Sequence, residues 1–396
     1  MAPSTPSAER FSARVAHLQS SAIREILRVV NRADIVSLAG GLPGADLFPV
    51  DALARIAAEV LATDGPRALQ YAETEGHGGL RARIAERLPA GVPFRGPDEI
   101  VVTQGSQQGL DLLAKLFLDP GDEVLVETPA YVGALQVFRF IGAKVTFLPC
   151  DAEGARPDAL AEALRRRPKL VYLTPTFQNP SGVCWSARRR AEVREVLARC
   201  DTLLVEDDPY RALWYDEEPP APIVAGMDPA RAVYLGSFSK TAVPGLRVAF
   251  LCAAAPLVRT AVLAKQATDL HTNTLGQHLL HRFLGDPAFD AHVSGLRRAY
   301  AARRDALDAS LRERLQGRLE WNRPAGGMFL WARLAGGADA GALLARALEQ
   351  GVAFVPGGEF HAQGEGRDTL RLNFTHAAPA RLAEGVARLA RAIDRG

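Results

Sequence analysis

Short apolar segments alternate with helical patterns through the first half of the chain. Six segments between Asp98 and Gly236 are rich in aliphatic residues and are candidate strands. They cover residues 99–103, 123–127, 144–148, 170–174, 203–206 and 233–235. Strands that alternate with helices are typical of a mainly parallel, doubly wound sheet that helices cover on both faces.

The segments between these strands carry apolar residues at three- and four-residue spacing, which predicts amphipathic helices. They cover residues 107–118, 130–141, 157–167 and 186–199, with Ser186 as a candidate cap of the last helix. After Phe250 the pattern changes to longer helices over 256–268, 272–284 and 287–315, followed by strands near 328–333, 352–355 and 369–374. The second half of the chain therefore predicts a second α/β domain.

Length and composition fit an enzyme-sized globular protein. The chain has 396 residues, whereas a single core seldom grows beyond about 250–300 residues. The 47 basic residues nearly balance the 45 acidic ones, so nothing in the charge indicates a nucleic-acid partner, and no apolar run indicates a membrane span. The four cysteines form no C-x-x-C pair. We therefore expect no metal site and a cytoplasmic location.

The most informative segment is a hydroxyl-rich turn that contains a lysine. Lysine occurs only five times in this arginine-rich chain, and Lys240 lies between Ser237, Ser239 and Arg247. An amine that forms a Schiff base with a carbonyl cofactor must be held in place and must also act as a base. The hydroxyls and the guanidinium suit a phosphate group. Taken alone, the segment is also compatible with a surface lysine in a polar turn.

Carboxylates follow the predicted strand 203–206. Asp207, Asp208 and Tyr210 come at the edge of the sheet where open α/β folds bind ligands. A buried carboxylate beside a pyridine nitrogen keeps that nitrogen protonated and makes the ring an electron sink. Asp207 is the candidate for this role. The alternative is that the two aspartates cap a turn.

Three further segments carry candidate binding groups. The turn at Gly105 follows a strand and opens a helix, so its backbone N–H groups form a possible phosphate cradle. The amide of Asn179 could bind a cofactor oxygen, although Asn-Pro is also a common turn. Arg371 lies within an apolar strand and needs a partner there, either a substrate carboxylate or an internal salt bridge.

Taken together, these segments resemble the pyridoxal-5'-phosphate (PLP) aminotransferases of class I and II, from about Ser20 to the C-terminal helix. The shared residues, in the order of the family, are Asn179-Pro180, Asp207-x-x-Tyr210, Ser237-x-Ser239-Lys240, Pro244-Gly245-Leu246-Arg247 and Arg371. The resemblance implies the fold-type-I architecture, an α/β fold whose large domain has a mainly parallel, doubly wound seven-stranded sheet, plus a smaller α/β domain. It places the large PLP-binding domain at residues 52–284 and the small domain at 285–396. Residues 1–51 would form an N-terminal arm with a mobile helix that covers the substrate.

The same resemblance implies how the cofactor is held. Lys240 would carry PLP through a Schiff base, Asp207 would pair with the pyridine nitrogen, and Asn179 and Tyr210 would bind the phenolic oxygen of the ring. Lys240, Asp207 and Tyr210 are thus the expected catalytic residues. The expected phosphate ligands are Arg247, Ser237, Ser239 and the backbone of Gly105, Ser106 and Gln107.

The resemblance also assigns roles around the cofactor. Tyr131 would stack on the cofactor face, and Tyr71 would reach the phosphate of the partner subunit in a homodimer. Ordinary core packing is the alternative for both aromatic residues. Arg371 would bind the α-carboxylate of the substrate, with Asn179 and Gly41 beside it.

The closest subgroup is that of the 2-aminoadipate and kynurenine aminotransferases. The resemblance rests on residues 21–27, 37–43, 48–49, 70–71, 75–76, 105–108, 269–272 and 355–358. In that subgroup Arg24 matches an arginine that pairs with a distal substrate carboxylate, which implies glutamate and 2-aminoadipate as substrates. The same helix also admits aromatic or aliphatic side chains, and a solvated arginine on an amphipathic helix is the alternative.

The expected reaction is a ping-pong transamination between an L-amino acid and a 2-oxo acid, with 2-oxoglutarate and glutamate as one pair. A lyase, decarboxylase or amino-acid cyclase on the same fold would keep every cofactor residue, so the sequence separates these reactions poorly. An effector-sensing domain of a bacterial transcription regulator is a third alternative. The net charge of +2 and the short segment before the first shared motif disfavour it.

Overall fold

The computed structural model describes residues 11–12, 14–15, 34–361 and 364–395 of the chain. The strands in chain order are β1 Val36–Ser37, β2 Ile100–Thr103, β3 Glu123–Glu127, β4 Lys144–Leu148, β5 Cys150–Asp151, β6 Gly154–Ala155, β7 Leu170–Leu173, β8 Leu203–Asp207, β9 Ala232–Ser237, β10 Ala249–Ala253, β11 Leu319–Trp321, β12 Phe329–Leu334, β13 Val352–Ala353, β14 Val355–Pro356 and β15 Thr369–Asn373. The helices are α1 Val50–Ala68, α2 Gly78–Arg87, α3 Ser106–Phe117, α4 Val132–Ile141, α5 Pro157–Leu164, α6 Ala187–Leu197, α7 Ala255–Gln266, α8 Thr274–Gly285, α9 Pro287–Leu315, α10 Ala340–Glu349 and α11 Pro379–Asp394.

A seven-stranded sheet forms the centre of the molecule, with the strand order β2-β10-β9-β8-β7-β3-β4. The strands from β9 to β4 are parallel, and β10 runs antiparallel to both of its neighbours. Every residue of β7 and of β8 is buried, as expected for strands that are covered on both faces. The predicted fold class is therefore confirmed.

Strand β10 corrects the sequence analysis, which had the chain change to long helices after Phe250. Its residues Ala249–Ala253 pair with β2 on one side and β9 on the other. All five are buried. An apolar run that is buried on both faces does not alternate, and alanine has little strand propensity, so periodicity alone could not identify it.

Most other predicted elements agree with the structure, but the strand predicted near 352–355 is two short strands, β13 and β14, which pair with β1 and β15 respectively. Strands β3 and β4 and helix α9 have the predicted bounds, and the side chain of Ser186 caps α6 by accepting a hydrogen bond from the backbone N–H of Arg189. Strand β8 extends one residue further than predicted, to Asp207. The pattern analysis did not identify α1, α2 and α10.

A second sheet, with the antiparallel order β11-β12-β15-β14, lies in the C-terminal part of the chain. Helix α9 packs along α11, and the core beside this sheet includes Leu311, Leu330 and Leu389. Strand β1 pairs in parallel with β13, which joins the N-terminal segment to this part of the molecule. The domain bounds at 52 and 285 stay predictions.

Within the described ranges, no helix combines the length and the apolar character needed to cross a bilayer.

Candidate active site

The candidate residues gather at the carboxyl edge of the seven-stranded sheet. Asp207 is the last residue of β8 and Ser237 the last residue of β9, whereas Asn179 lies in the loop that follows β7. Because these three strands are parallel, their carboxyl ends meet at one edge, where open α/β sheets bind ligands.

Lys240 lies in the turn after β9, with its amine inside the site. Its Nζ donates a hydrogen bond to the carbonyl oxygen of Gly41 at 3.1 Å and lies 6.0 Å from the ring centroid of Tyr210. Burial, together with the positive charges of Arg371 and Arg247, lowers the pKa of Lys240 to about 8. The contacts of its Nζ with Gly41 and Tyr210 disfavour the alternative of a surface lysine.

The two consecutive aspartates have different surroundings. Asp207 is buried, and its Oδ2 accepts a hydrogen bond from the hydroxyl of Tyr172 at 2.8 Å. Its Oδ1 is buried and has no hydrogen-bond partner among the described residues. Asp208, in contrast, forms an ion pair with Arg211 at 2.5 Å. Burial raises the pKa of Asp207 to about 7, and the hydrogen bond from Tyr172 acts in the opposite direction.

Arg371 in β15 is buried and lies against Asn179. Its Nη1 donates to Oδ1 of Asn179 at 2.7 Å and its Nη2 donates to the carbonyl oxygen of Ala39 at 2.7 Å. Its guanidinium carbon lies 4.2 Å from the ring centroid of Phe329. Burial lowers the pKa of Arg371 to about 10. In the described part of the chain, no carboxylate forms a salt bridge with this guanidinium, which disfavours the internal salt bridge.

A cationic cradle lies where α3 begins. Gly105 has a φ of 78°, and a Cβ atom there would lie 2.3 Å from Nη2 of Arg247, so only glycine lets this guanidinium lie over the turn. The Oγ of Ser106 is buried without a partner among the described residues. The amides of Ser106 and Gln107 belong to the first turn of α3 and have no acceptor within the helix. These groups together suit an anion.

The end of β9 and the turn that follows it supply the two serines. Ser237 accepts a hydrogen bond at its Oγ from the backbone N–H of Ser239 at 3.1 Å, and Ser239 is buried. Ser237 of β9 pairs with Ala249 of β10, and Ala249 lies two residues after Arg247 in the sequence. The serines and Arg247 are therefore held by the same pair of strands.

The two tyrosines predicted to contact the cofactor are placed differently. The hydroxyl of Tyr131 lies 3.5 Å from Oε1 of Gln107, and Asp207, Arg371 and Arg247 are close enough to act on its pKa, which burial raises. Tyr71 has a side chain that is 79% exposed and makes an edge contact with the ring of His271.

Gly41 lies within the site through its carbonyl group, which accepts from Lys240. The position of Arg24 lies outside the described residues.

The sequence analysis missed several residues that order the site. Tyr172 is the third residue of β7, and its contact with Asp207 depends on the register between β7 and β8, which alternation within one strand does not give. Gln178 precedes Asn179, and its Nε2 donates both to the carboxylate of Glu127 and to the carbonyl oxygen of Pro129. Its side chain therefore connects the loop of Asn179 with the loop that leads to Tyr131, a contact between distant segments that no local pattern reveals.

The arrangement fits pyridoxal phosphate. Lys240 offers an amine with a lowered pKa, Asp207 offers an unpartnered buried carboxylate oxygen, and Arg247 with the start of α3 offers an anion site. These are the groups that the aldehyde, the ring nitrogen and the phosphate of this cofactor require.

Comparison with known proteins agrees with the geometry. The family model of aminotransferases of class I and II matches residues 33–389. Over 400 residues, the chain is 39% identical to aromatic-amino-acid aminotransferase 1 of Thermococcus litoralis, covering 99% of this chain and 96% of that protein.

Two solved structures are similar over nearly the whole chain. One is an alpha-aminoadipate aminotransferase of Thermus thermophilus complexed with N-(5'-phosphopyridoxyl)-L-leucine, at 42% identity and a TM-score of 0.91, with 98% of each chain covered. The other is a kynurenine aminotransferase of Pyrococcus horikoshii, at 38% identity and a TM-score of 0.92, with 98% of this chain and 97% of that chain covered. The chain therefore belongs to the class I and II aminotransferases, and it is a PLP-dependent enzyme that transfers amino groups between amino acids and 2-oxo acids.

Proposed function

We propose that Lys240, Asp207 and Arg371 carry the transamination, with Lys240 as cofactor lysine and proton carrier, Asp207 as partner of the pyridine nitrogen and Arg371 as clamp of the substrate α-carboxylate. The observation that carries this proposal is that the half-buried Lys240 and the buried Arg371 lie in one site with no carboxylate paired to either among the described residues. Two cations that are largely removed from water without an anion are costly. A phosphorylated cofactor and a carboxylate substrate would balance them.

The proton step falls to Lys240. Bound PLP would supply a protonated ring that stabilises negative charge at the α-carbon of the substrate. The amine of Lys240, whose pKa lies near 8, takes the proton from that carbon when neutral and returns a proton on the same side of the cofactor. Asp207 would stay negatively charged beside the ring nitrogen and so keep that nitrogen protonated.

Arg371 orients the substrate. A guanidinium has five N–H groups, and hydrogen bonds to Asn179 and Ala39 use two of them. The remaining N–H groups, including the buried Nε that has no partner among the described residues, can hold a carboxylate in a bidentate pair. Such a clamp fixes which bond at the α-carbon faces Lys240.

The remaining predicted residues hold the cofactor in this proposal. Arg247, Ser237, Ser239 and the backbone of residues 105–107 bind the phosphate, which the position of Gly105 against Arg247 supports. Tyr210 and Asn179 would bind the phenolic oxygen of the ring, and Tyr131 would stack on the face of the ring. Gly41 lines the substrate side through the carbonyl that contacts Lys240.

The substrate class that we propose is broad. The relatives named above act on aromatic amino acids, alpha-aminoadipate and kynurenine, and one of them was crystallised with a leucine derivative of the cofactor. We propose 2-oxoglutarate and glutamate as one pair, with a 2-aminoadipate-like, aromatic or aliphatic amino acid as the other partner.

We further propose a cytoplasmic homodimer with shared active sites. Leu69, Tyr71 and Leu270 are large side chains that are exposed on a single chain. The contact of Tyr71 with His271 brings them close together, and a contiguous exposed patch often marks an interface. Mixing Tyr71→Ala subunits with Lys240→Ala subunits tests the shared site, because a hybrid dimer contains one site with both native residues. Activity above that of either parent is expected, and activity no higher than theirs contradicts the shared site.

Product analysis tests the reaction and ranks the substrates. The purified enzyme, loaded with PLP, is mixed without acceptor with glutamate, 2-aminoadipate, leucine, phenylalanine or kynurenine. Transamination predicts one equivalent of the 2-oxo acid per active site and pyridoxamine phosphate as the second product. The same experiment is made with two variants. Lys240→Arg should release no 2-oxo acid at a comparable rate, whereas the control Lys265→Arg should release it as wild type does. Catalytic release of ammonia or carbon dioxide instead would favour a lyase or decarboxylase.

A further inference from the structure

The consecutive aspartates at the end of β8 lie on opposite faces of the central sheet. Residues alternate between the two faces along a strand, so Asp207 shares a face with Val205, whereas Asp208 shares the other face with Glu206. The strand register continues this division. Tyr172 of β7 is opposite Val205, and Tyr234 of β9 is opposite Glu206.

Each aspartate accepts a hydrogen bond from the tyrosine on its own face. The hydroxyl of Tyr172 lies 2.8 Å from Oδ2 of Asp207, and that of Tyr234 lies 3.1 Å from Oδ2 of Asp208. The two pairs differ in charge balance. Asp208 also has the guanidinium of Arg211, whereas the only hydrogen-bond donor to the Asp207 side chain among the described residues is Tyr172.

We propose that Tyr172 is a positioning residue, which holds Asp207 ionised and directs its Oδ1 toward the pyridine nitrogen. This inference rests on the proposed role of Asp207. A hydrogen bond to Oδ2 fixes the rotation of the carboxylate, so the second oxygen keeps one direction. It also stabilises the charged form, because a hydroxyl donates to a carboxylate more strongly than to a carboxylic acid.

The surroundings of Tyr172 make it a rigid donor. Its side chain is 2% exposed, and its ring makes an edge contact with Phe138 of α4, with a centroid distance of 5.9 Å. Burial alone would favour the neutral form of Asp207, and the hydrogen bond from Tyr172 lowers the pKa of this carboxyl. A fixed donor of this kind orders the group that contacts the ligand without contacting the ligand itself.

The test compares two cofactors on three proteins. PLP is removed from wild type, Tyr172→Phe and Tyr234→Phe, and the dissociation constants of PLP and of its 1-deaza analogue, which has a C–H group in place of the ring nitrogen, are measured by equilibrium dialysis. Tyr234→Phe is the matched control, because it removes the same kind of hydrogen bond from the neighbouring aspartate. Urea unfolding of each apoprotein reports the change in stability separately.

We expect Tyr172→Phe to raise the dissociation constant of PLP by about tenfold, since hydrogen bonds to charged groups have effects of this order. Its affinity for the deaza analogue should equal that of wild type, because Asp207 has no nitrogen to bind there. Tyr234→Phe should bind both compounds as wild type does. An equal loss for both compounds in Tyr172→Phe, or no loss for either, overturns the inference.

The affinities of the wild-type protein for the two compounds test the proposed role of Asp207 separately from that of Tyr172. If wild type binds PLP no more tightly than the deaza analogue, Asp207 does not pair with the ring nitrogen and the proposed role itself fails. If wild type prefers PLP and Tyr172→Phe keeps the whole preference, only the role of Tyr172 fails.

Discussion

Nη1 of Arg371 lies 2.7 Å from Oδ1 of Asn179, and this hydrogen bond connects β15 of the C-terminal sheet with the loop after β7 of the central sheet. Arg371, the proposed substrate ligand, and Asn179, the proposed cofactor ligand, therefore fix each other's position. Since Arg371 also donates to the carbonyl of Ala39, two other segments of the chain fix the direction of its guanidinium.

We therefore expect Arg371→Ala to lower kcat/KM for every amino acid and every 2-oxo acid by about a hundredfold or more, because a buried charge pair with the α-carboxylate is lost. Steady-state kinetics measure the effect. Arg371→Lys should recover only part of the loss, since an ammonium cannot form the bidentate pair. Arg333→Ala is the control, because Arg333 lies on the neighbouring strand β12 and forms an exposed ion pair with Asp368. Equal effects of the two alanine variants would refute the clamp.

Replacement of Gly105 by alanine should weaken PLP binding by about tenfold, because the new Cβ atom would displace a charged phosphate ligand, Arg247. The positive φ of 78° adds strain, which should lower the free energy of unfolding by about 1–2 kcal/mol. Cofactor titration and urea unfolding measure these changes. Gly245→Ala is the control, since a Cβ atom at Gly245 meets no atom within 4 Å. Wild-type affinity in Gly105→Ala would contradict the cradle.

The lowered pKa of Lys240 predicts how the apoprotein captures its cofactor. Only the neutral amine attacks the aldehyde, so the rate of capture should rise with pH and reach half of its maximum near pH 8, the pKa of this buried amine. Stopped-flow absorbance after mixing with PLP measures the profile. Arg371→Leu removes a nearby positive charge and should move the midpoint to higher pH, whereas Arg333→Leu should leave it in place. A wild-type midpoint near the ordinary lysine pKa of about 10.4 would show that burial does not act on this amine.

Arg24 gives a prediction about substrate choice that rests on sequence resemblance alone. If Arg24 binds a distal carboxylate, Arg24→Ala should reduce kcat/KM for glutamate and 2-aminoadipate by about tenfold or more and leave leucine and phenylalanine nearly unchanged. A uniform reduction across all four amino acids would instead indicate a general role in covering the site.

The sequence was sufficient for features that depend on periodicity and on local motifs. Helix α9 has its predicted bounds because a long amphipathic pattern begins after Asp286, whose side chain caps the helix. The motif residues Lys240, Asp207 and Asn179 gather in one site because parallel strands end at one edge of the sheet, whereas Arg371 reaches the site from β15 of the C-terminal sheet.

The sequence was not sufficient for contacts between segments that are distant in the chain. Which of Asp207 and Asp208 is free to bind the cofactor depends on the residues that each contacts. Only the structure shows that Asp208 forms an ion pair with Arg211 and that Asp207 has no cation beside it. Strand β10 was missed because its register with β2 and β9, rather than its own pattern, makes it a strand.

The role of Lys240 is the central claim, and absorbance spectra test it most directly. Wild type and Lys240→Ala are purified, supplied with PLP and recorded before and after addition of an amino acid. We predict that wild type shows the visible band of PLP bound to an amine of the protein, which an amino-acid substrate converts to the near-ultraviolet band of pyridoxamine phosphate. Lys240→Ala should lack the protein-bound band and give no 2-oxo acid at a comparable rate. An unchanged band and an unchanged rate in Lys240→Ala would contradict the account.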